Sequence, residues 1–360
     1  MSSLDLKPRP KAAEPWTKVR SDLKAVIAIA STAPILISAA VFLLSGLDFM
    51  AVLFLVFAPL QLIAGAWAGI RANGRRGLTD GLLVVVTYFF STFVLVLLVS
   101  VLYSVVYFGG QAISPHFFYQ NNVYVTATTG LEIGGVGHAI LGTLVMVGIA
   151  MVITVPLGVI TAVYLTETRD PGRGFIRTLL QAMSGLPSVV AGLFIYSMFI
   201  VTGWSTQIGL MGSLALIPLM LPTVARVAEE SLRLVPVELR NGALALGAPA
   251  WRAFFMVTLP AARSGIVTAV LLGIARVIGE TAPLILTTVV AESTNVNPFD
   301  GSIASLPTYI YNSLLYGYDV SIQRAWGAAL VMLLLVGVIF AAARISIRPV
   351  GSQRKKKVKK

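Results

Sequence analysis

The chain has no cysteine, only two histidines and, between Lys24 and Lys355, no lysine at all. Without cysteine there are no disulfides, thiolate nucleophiles or thiolate-bound metals. His116 and His138 are too few and too far apart for a histidine metal centre, so no metal is expected. A G-x-x-x-x-G-K-[ST] loop is impossible in the body of the chain, which removes that route to ATP. No nucleophile and base stand in a catalytic arrangement, so neither catalytic residues nor cofactors are expected. Charge is also scarce: 12% of the 360 residues are Asp, Glu, Lys or Arg, against about 25% in soluble domains. Hydrophobic residues make up 57% instead. An ordinary soluble enzyme is excluded.

A membrane-spanning helix needs about 20 mostly apolar residues. Eight stretches qualify: 25–46, 49–70, 81–108, 138–165, 175–202, 210–228, 264–290 and 325–343. The first is too long for a signal-peptide core and is followed at once by another span, so it reads as a retained anchor. The expected fold class is an all-α polytopic membrane protein.

The formal net charge of +12 is unevenly placed. Lys7, Arg9, Lys11, Lys18, Arg20 and Lys24 precede the first span, and Arg71, Arg75 and Arg76 follow the second. Arg169, Arg173 and Arg177 lie around the fourth loop, Arg226, Arg233, Arg240, Arg252 and Arg263 around the sixth, and eight more after 343. Segments 47–48, 109–137 and 203–209 have no Lys or Arg, and 291–324 has only Arg324. This alternation puts both termini in the cytoplasm and leaves no basis for nucleic-acid binding. The polybasic ends read as disordered flanks drawn to membrane lipid. Two loops on the other side are long enough to dock a partner: 109–137, with Phe117, Phe118 and Tyr119, and 291–324, with Tyr309, Tyr311, Tyr316 and Tyr318. The same aromatics also suit an interfacial belt, and His138 reads as an interfacial residue.

Arg276 and Glu280 fall in the middle of the seventh span, where a charge costs roughly 2.5–3.5 kcal/mol. At i and i+4 they share a helix face and can pair. Either they neutralise each other, or Arg276 offers charge-assisted hydrogen bonds to a tetrahedral anion with Glu280 tuning it. Ser184 and Ser188 flank Gly185 and Pro187, where the fifth span can break and line a path. Pro218, Pro222 and Pro283 offer similar interruptions in spans six and seven. Asn312 and Arg324 lie at the side facing away from the basic loops, within reach of a partner.

The inner segment 229–263 has apolar residues at helical spacing. Pro236 suits a helix start, Leu239, Ala243 and Leu246 can share a face, and Gly247 permits a sharp turn. A second amphipathic piece, Trp251 to Val257, is expected to end at Leu259-Pro260. The segment carries Asn241-Gly242-Ala243, then Gly247, Val257, Leu259 and Pro260. It resembles the E-A-A-x-x-x-G…I-x-L-P coupling helix of ABC-importer permeases, which docks on the ATPase subunit. Asn241 replaces the Glu of that pattern and Gly242 the first Ala.

Further motifs narrow the family. Arg276-Val277-Ile278-Gly279-Glu280-Thr281-Ala282-Pro283-Leu284 resembles the signature of phosphate-importer permeases, in its PstA branch. Also similar are Gly134-Gly135 with Ala139-Ile140-Leu141-Gly142-Thr143, Val155-Pro156-Leu157-Gly158, Ser184-Gly185-Leu186-Pro187-Ser188, and Leu306-Pro307 with Ile310-Tyr311-Asn312. The resemblance implies a six-span permease domain over 81–343, extended here by an N-terminal hairpin, 25–70, to eight spans, with basic tails 1–24 and 344–360. It implies phosphate passage by Arg276 and Glu280, beside which Thr281, Ser184 and Ser188 are expected to line the path, with ATPase coupling through Asn241, Gly242, Ala243, Gly247, Val257, Leu259 and Pro260. The implied partners are a PstC-like second permease, two ATPase subunits, which would hydrolyse the ATP, and an extracytoplasmic phosphate-binding protein, in a prokaryotic inner membrane. The rival expectations are another oxyanion, sulfate or molybdate, and an ion-coupled transporter using Glu280 as a proton relay.

Overall fold

The computed structural model describes residues 21–168 and 170–346, so the basic tails lie almost wholly outside the described residues, as does Arg169. Every regular element among the described residues is helical. The chain divides into two compact units, 1–102 and 103–360.

In the first unit, α1 (Ser21–Ser45) ends at Gly46, and the Asp48 carboxylate accepts the Met50 N–H to start α2 (Phe49–Val52). A π turn, Leu53–Phe57, joins α2 to α3 (Ala58–Asn73). The wide turn falls just before Pro59, where it relieves the ring's clash with the preceding turn. The chain reverses at Gly74, whose φ is +66°, and α4 (Gly77–Ala112) runs back along α3. Gly65 and Gly69 oppose Gly77 and Gly81 so closely that a Cβ on Gly69 would lie 1.9 Å from the Gly77 carbonyl oxygen. Small residues four apart let two helix backbones touch, which is how helices adhere in lipid.

The second unit begins in the last turns of α4 and continues through α5 (Gly137–Glu167), α6 (Arg173–Ser184) and α7 (Ser188–Ile195). Next come α8 (Gly209–Arg233), α9 (Val237–Ala245), α10 (Ala250–Ala253) and α11 (Leu259–Val277). The last are α12 (Ala282–Thr287), α13 (Leu306–Leu315) and α14 (Asp319–Ser346). The centre is α8, which packs along α5 and α11 and touches α6, α7 and α12. Met146, Ala150, Leu216, Met220, Val224, Val277 and Leu284 form the main core. Because lipid is as apolar as leucine, close packing rather than burial carries such contacts. Gly158 accordingly lies against Val224, and Gly273 against Met220 and Val224. Pro218 and Pro222 lie inside an uninterrupted α8, contrary to expectation. Membrane helices tolerate proline where neighbouring helices and local adjustments satisfy the freed carbonyls, and α8 is the most enclosed of the apolar helices.

Among the described residues, six helical runs are long and apolar enough to cross a membrane, or seven if the bent pair α6–α7 forms one span. One of the six, Phe49–Ala112, is the run that reverses at Gly74.

The α4–α5 loop, α13 and the start of α14 fold into a cap over one end of α5. Phe117, Val136, Ala304, Leu306 and Tyr309 form its buried core. Ser305 and Thr308 make a reciprocal capping box at the start of α13, and the Leu306 N–H donates to Thr143 Oγ1 at 2.8 Å. Arg324, expected to face a partner, is only 4% exposed and donates to the carbonyls of Thr129, Gly130 and Ile133 at 3.0, 2.6 and 2.8 Å. His138 is likewise buried beneath the loop, edge-on to Tyr309, rather than interfacial. The loop folds back onto the helix end, with the Val136 N–H donating to the Phe117 carbonyl, and so covers both residues. Asn122 Nδ2 donates to the Tyr309 hydroxyl at 3.2 Å, and burial pushes that hydroxyl's pKa above its ordinary value.

Candidate functional site

The seventh span differs from the continuous helix expected over 264–290. It breaks after Val277: Ile278 and Gly279 form a turn, and α12 starts at Ala282 with Pro283 in its first turn. Proline is at ease there, since the N–H it lacks would find no helical partner anyway. Arg276 therefore stands in the last turn of α11 while Glu280 lies in the break, so the two do not share a helix face and no ion pair joins them. Arg276 is exposed and Glu280 half-buried. Thr281 holds the N-cap position of α12, where its carbonyl accepts from the Leu284 and Ile285 N–H groups, each at 3.1 Å.

A second break lies between α6 and α7, which meet at 100° across Gly185–Pro187. Ser184, exposed, ends α6 and donates from Oγ to the Gln181 carbonyl at 2.8 Å, and Ser188, half-buried, begins α7. The helices that follow the two breaks are in direct contact: a Cβ on Gly192 of α7 would lie 2.5 Å from Pro283 Cα of α12. The structure thus brings the Ser188 helix against the helix that follows Glu280 and Thr281. Two adjoining broken helices leave backbone N–H and C=O groups without helical partners, the arrangement used to hold ions within membrane proteins.

Beyond the C-terminal end of α8, Pro236 caps α9 as the sequence suggests. The helix ends in a Schellman turn: the Gly247 N–H donates to the Leu244 carbonyl at 2.9 Å and the Ala248 N–H to the Ala243 carbonyl at 3.1 Å. Gly247 has φ +86°, a conformation side-chain-bearing residues rarely adopt. Asn241, Gly242 and Gly247 are exposed and Ala243 is half-buried. Around them stand exposed apolar side chains, Leu234, Trp251 and Leu246, the last 91% exposed. Such apolar exposure beside charged groups suits a protein partner. One expectation fails here: the piece from Trp251 does not end at Leu259-Pro260. It runs through a π turn, Phe254–Thr258, straight into α11. As before Pro59, the wide turn makes room for Pro260. Val257 and Leu259 are half-buried and Pro260 exposed within this continuous helix.

Among the described residues, three ion pairs at this end escaped the sequence reading. Glu229 meets Arg177 at 2.8 Å and Arg233 at 2.6 Å, and Glu167 meets Arg240 at 2.6 Å. Arg226 also donates to Gln181 Oε1. Only the Glu229–Arg233 pair, four apart on one helix, had a local signal. The others join segments remote in sequence.

Residues 154–350 match the family model described as binding-protein-dependent transport system inner membrane component. Over 276 residues the chain is 41% identical to Phosphate transport system permease protein PstA 1 of Mycobacterium tuberculosis, covering 76% of this chain and 89% of that protein. It is 46% identical over 216 residues to PstA of Mycobacterium leprae, covering 58% and 70% of the two chains. Against PstA of Pasteurella multocida the identity is 32% over 277 residues, covering 75% and 95%. Among solved structures, an inward-facing MetNI methionine ABC transporter aligns at 21% identity with a TM-score of 0.46, over 58% of this chain and 91% of its own.

Proposed function

Because this chain belongs to the binding-protein-dependent transport system inner membrane components, and within them to the PstA permeases, we propose that it is the permease subunit of an ATP-driven phosphate importer. It works by alternating access beside a PstC-like second permease, which completes the path, above two ATPase subunits that hydrolyse the ATP. An extracytoplasmic binding protein delivers the phosphate. The protein is multi-pass, with both termini in the cytoplasm. Eight spans result when the run that reverses at Gly74 is counted as two and the bent α6–α7 pair as one. The hairpin 25–70 precedes the permease domain, 81–343, and the basic tails flank both.

The observation that carries the substrate reading is Arg276. It is exposed at the end of an apolar helix, directly before a break, and no ion pair among the described residues neutralises it. A cation at membrane depth costs roughly 2.5–3.5 kcal/mol, and a tetrahedral oxyanion offset by charge-assisted hydrogen bonds is a ligand that meets it. Glu280, Thr281, Ser184 and Ser188 stand at the two breaks and complete the path. The α9 surface, with Asn241, Gly242, Ala243, Gly247, Val257, Leu259 and Pro260 in or after it, receives the ATPase stroke.

Arg276→Gln is expected to abolish uptake of radiolabelled phosphate while membrane abundance stays near that of the unaltered protein. Normal uptake in that variant would remove Arg276 from the path. Competition tests the cargo: uptake of radiolabelled sulfate or molybdate that excess phosphate does not suppress overturns the substrate assignment.

A further inference from the structure

Glu167 is the last residue of α5, where its carboxylate faces the negative end of the helix dipole. That position disfavours an acid unless a cation meets it, and Arg240, midway along α9, does so at 2.6 Å. Both side chains are only partly exposed. Among the described residues α9 packs chiefly on the α10 and π-turn stretch that follows it, and Arg240 supplies a side-chain link to α5. Beyond Glu167 a short connection, 168–172, leads to α6, which is tied back to this end of α5. The Arg173 guanidinium donates to the Leu165 carbonyl of α5, and Arg177 pairs with Glu229 of α8. At its far end α6 reaches the Gly185–Pro187 break, where Ser184 and Ser188 stand.

We propose that the Glu167–Arg240 ion pair is a positioning strut that carries displacement of α9 into α5 and, through α6, to the break at 184–188. The proposal rests on α9 being the surface that receives the ATPase stroke. Without the pair, movement of α9 is absorbed by the short 234–236 connection to α8, and ATP hydrolysis proceeds without opening the path. The strut touches no substrate; it acts through the helices it joins.

The test uses the complete transporter in proteoliposomes, with its ATPase, second permease and binding protein, and measures phosphate moved per ATP hydrolysed. Glu167→Gln and Arg240→Gln are each expected to lower that ratio about threefold, the scale of a partly exposed ion pair, while the ATPase still co-purifies. The exchanged pair, Glu167→Arg with Arg240→Glu, is expected to restore it; arginine at the end of α5 also suits the dipole. An unchanged ratio in both single variants overturns the strut, as does an exchange no better than the singles. A fall in hydrolysis and transport together, in proportion to lost assembly, also overturns it by making the pair merely structural. If the unaltered transporter moves a different oxyanion, only the phosphate assignment fails, and the ratio is read with that anion instead.

Discussion

At the cap, Arg324 is enclosed and gives its guanidinium to three loop carbonyls; at the opposite end of α5, Arg177, Arg233 and Arg240 stay partly exposed and reach carboxylates on other turns and helices. The same side chain does two kinds of work. A guanidinium with three carbonyl acceptors on one loop, and the Glu132 carboxylate of that loop nearby, pins the loop in one shape. A solvated guanidinium facing a carboxylate holds weakly and can be exchanged, which suits elements that must move. The cap has a buried aromatic core and a capping box, whereas the basic end presents exposed Leu246, Leu234 and Trp251. One end is held by enclosed bonds, and the other leaves apolar side chains and ion pairs open to solvent.

Breaking the cap should have the largest effect. Arg324→Met leaves the carbonyls of Thr129, Gly130 and Ile133 without their donor in a partly buried setting. Stability should fall by about 3 kcal/mol or more, since bonds to a charged donor contribute roughly 1.5–3 kcal/mol each. Thermal unfolding in detergent and protease cleavage within 113–136 would register it; an unaltered midpoint would mean the arginine does not hold the loop. Gly247→Val should matter less for stability, with strain of about 1–2 kcal/mol at the left-handed residue. That strain falls on the Schellman turn, so stimulation of the ATPase should drop while the unfolding midpoint barely moves. Equal stimulation would separate the turn from coupling. The smallest effect belongs to Arg177→Gln, at about 0.5 kcal/mol for an exposed pair. Its difference from the unaltered protein should vanish near 1 M salt, where the screening length is about 3 Å. A large, salt-insensitive loss would erase the contrast between the two ends.

Much of the helical layout could be read from local pattern. The expected span 138–165 corresponds to α5 (Gly137–Glu167), and 210–228 to α8 (Gly209–Arg233). Pro236 and Gly247 bound α9 as their backbone preferences require. The break at Gly185–Pro187 was also foreseeable, because glycine and proline weaken a helix wherever they stand together. The candidate site was less legible. Spacing alone paired Arg276 with Glu280, but the helix stops at Val277 and separates them. A periodicity argument assumes a continuous helix, and a turn at Gly279 removes that premise. Pro260 misled in the opposite sense, suggesting an end where a π turn carries the helix through.

What the sequence by itself determined is therefore the scarcity of charge, the positions of the apolar runs and the backbone punctuation at Pro236 and Gly247. Each follows from residue chemistry acting over a few neighbours. Only the tertiary structure decided that Arg324 and His138 are buried, that Pro218 and Pro222 leave α8 unbroken, and that Glu167 finds Arg240. Those outcomes depend on which remote segment comes to lie alongside. A side chain's partner, unlike its helical propensity, is set by the packing of the whole chain.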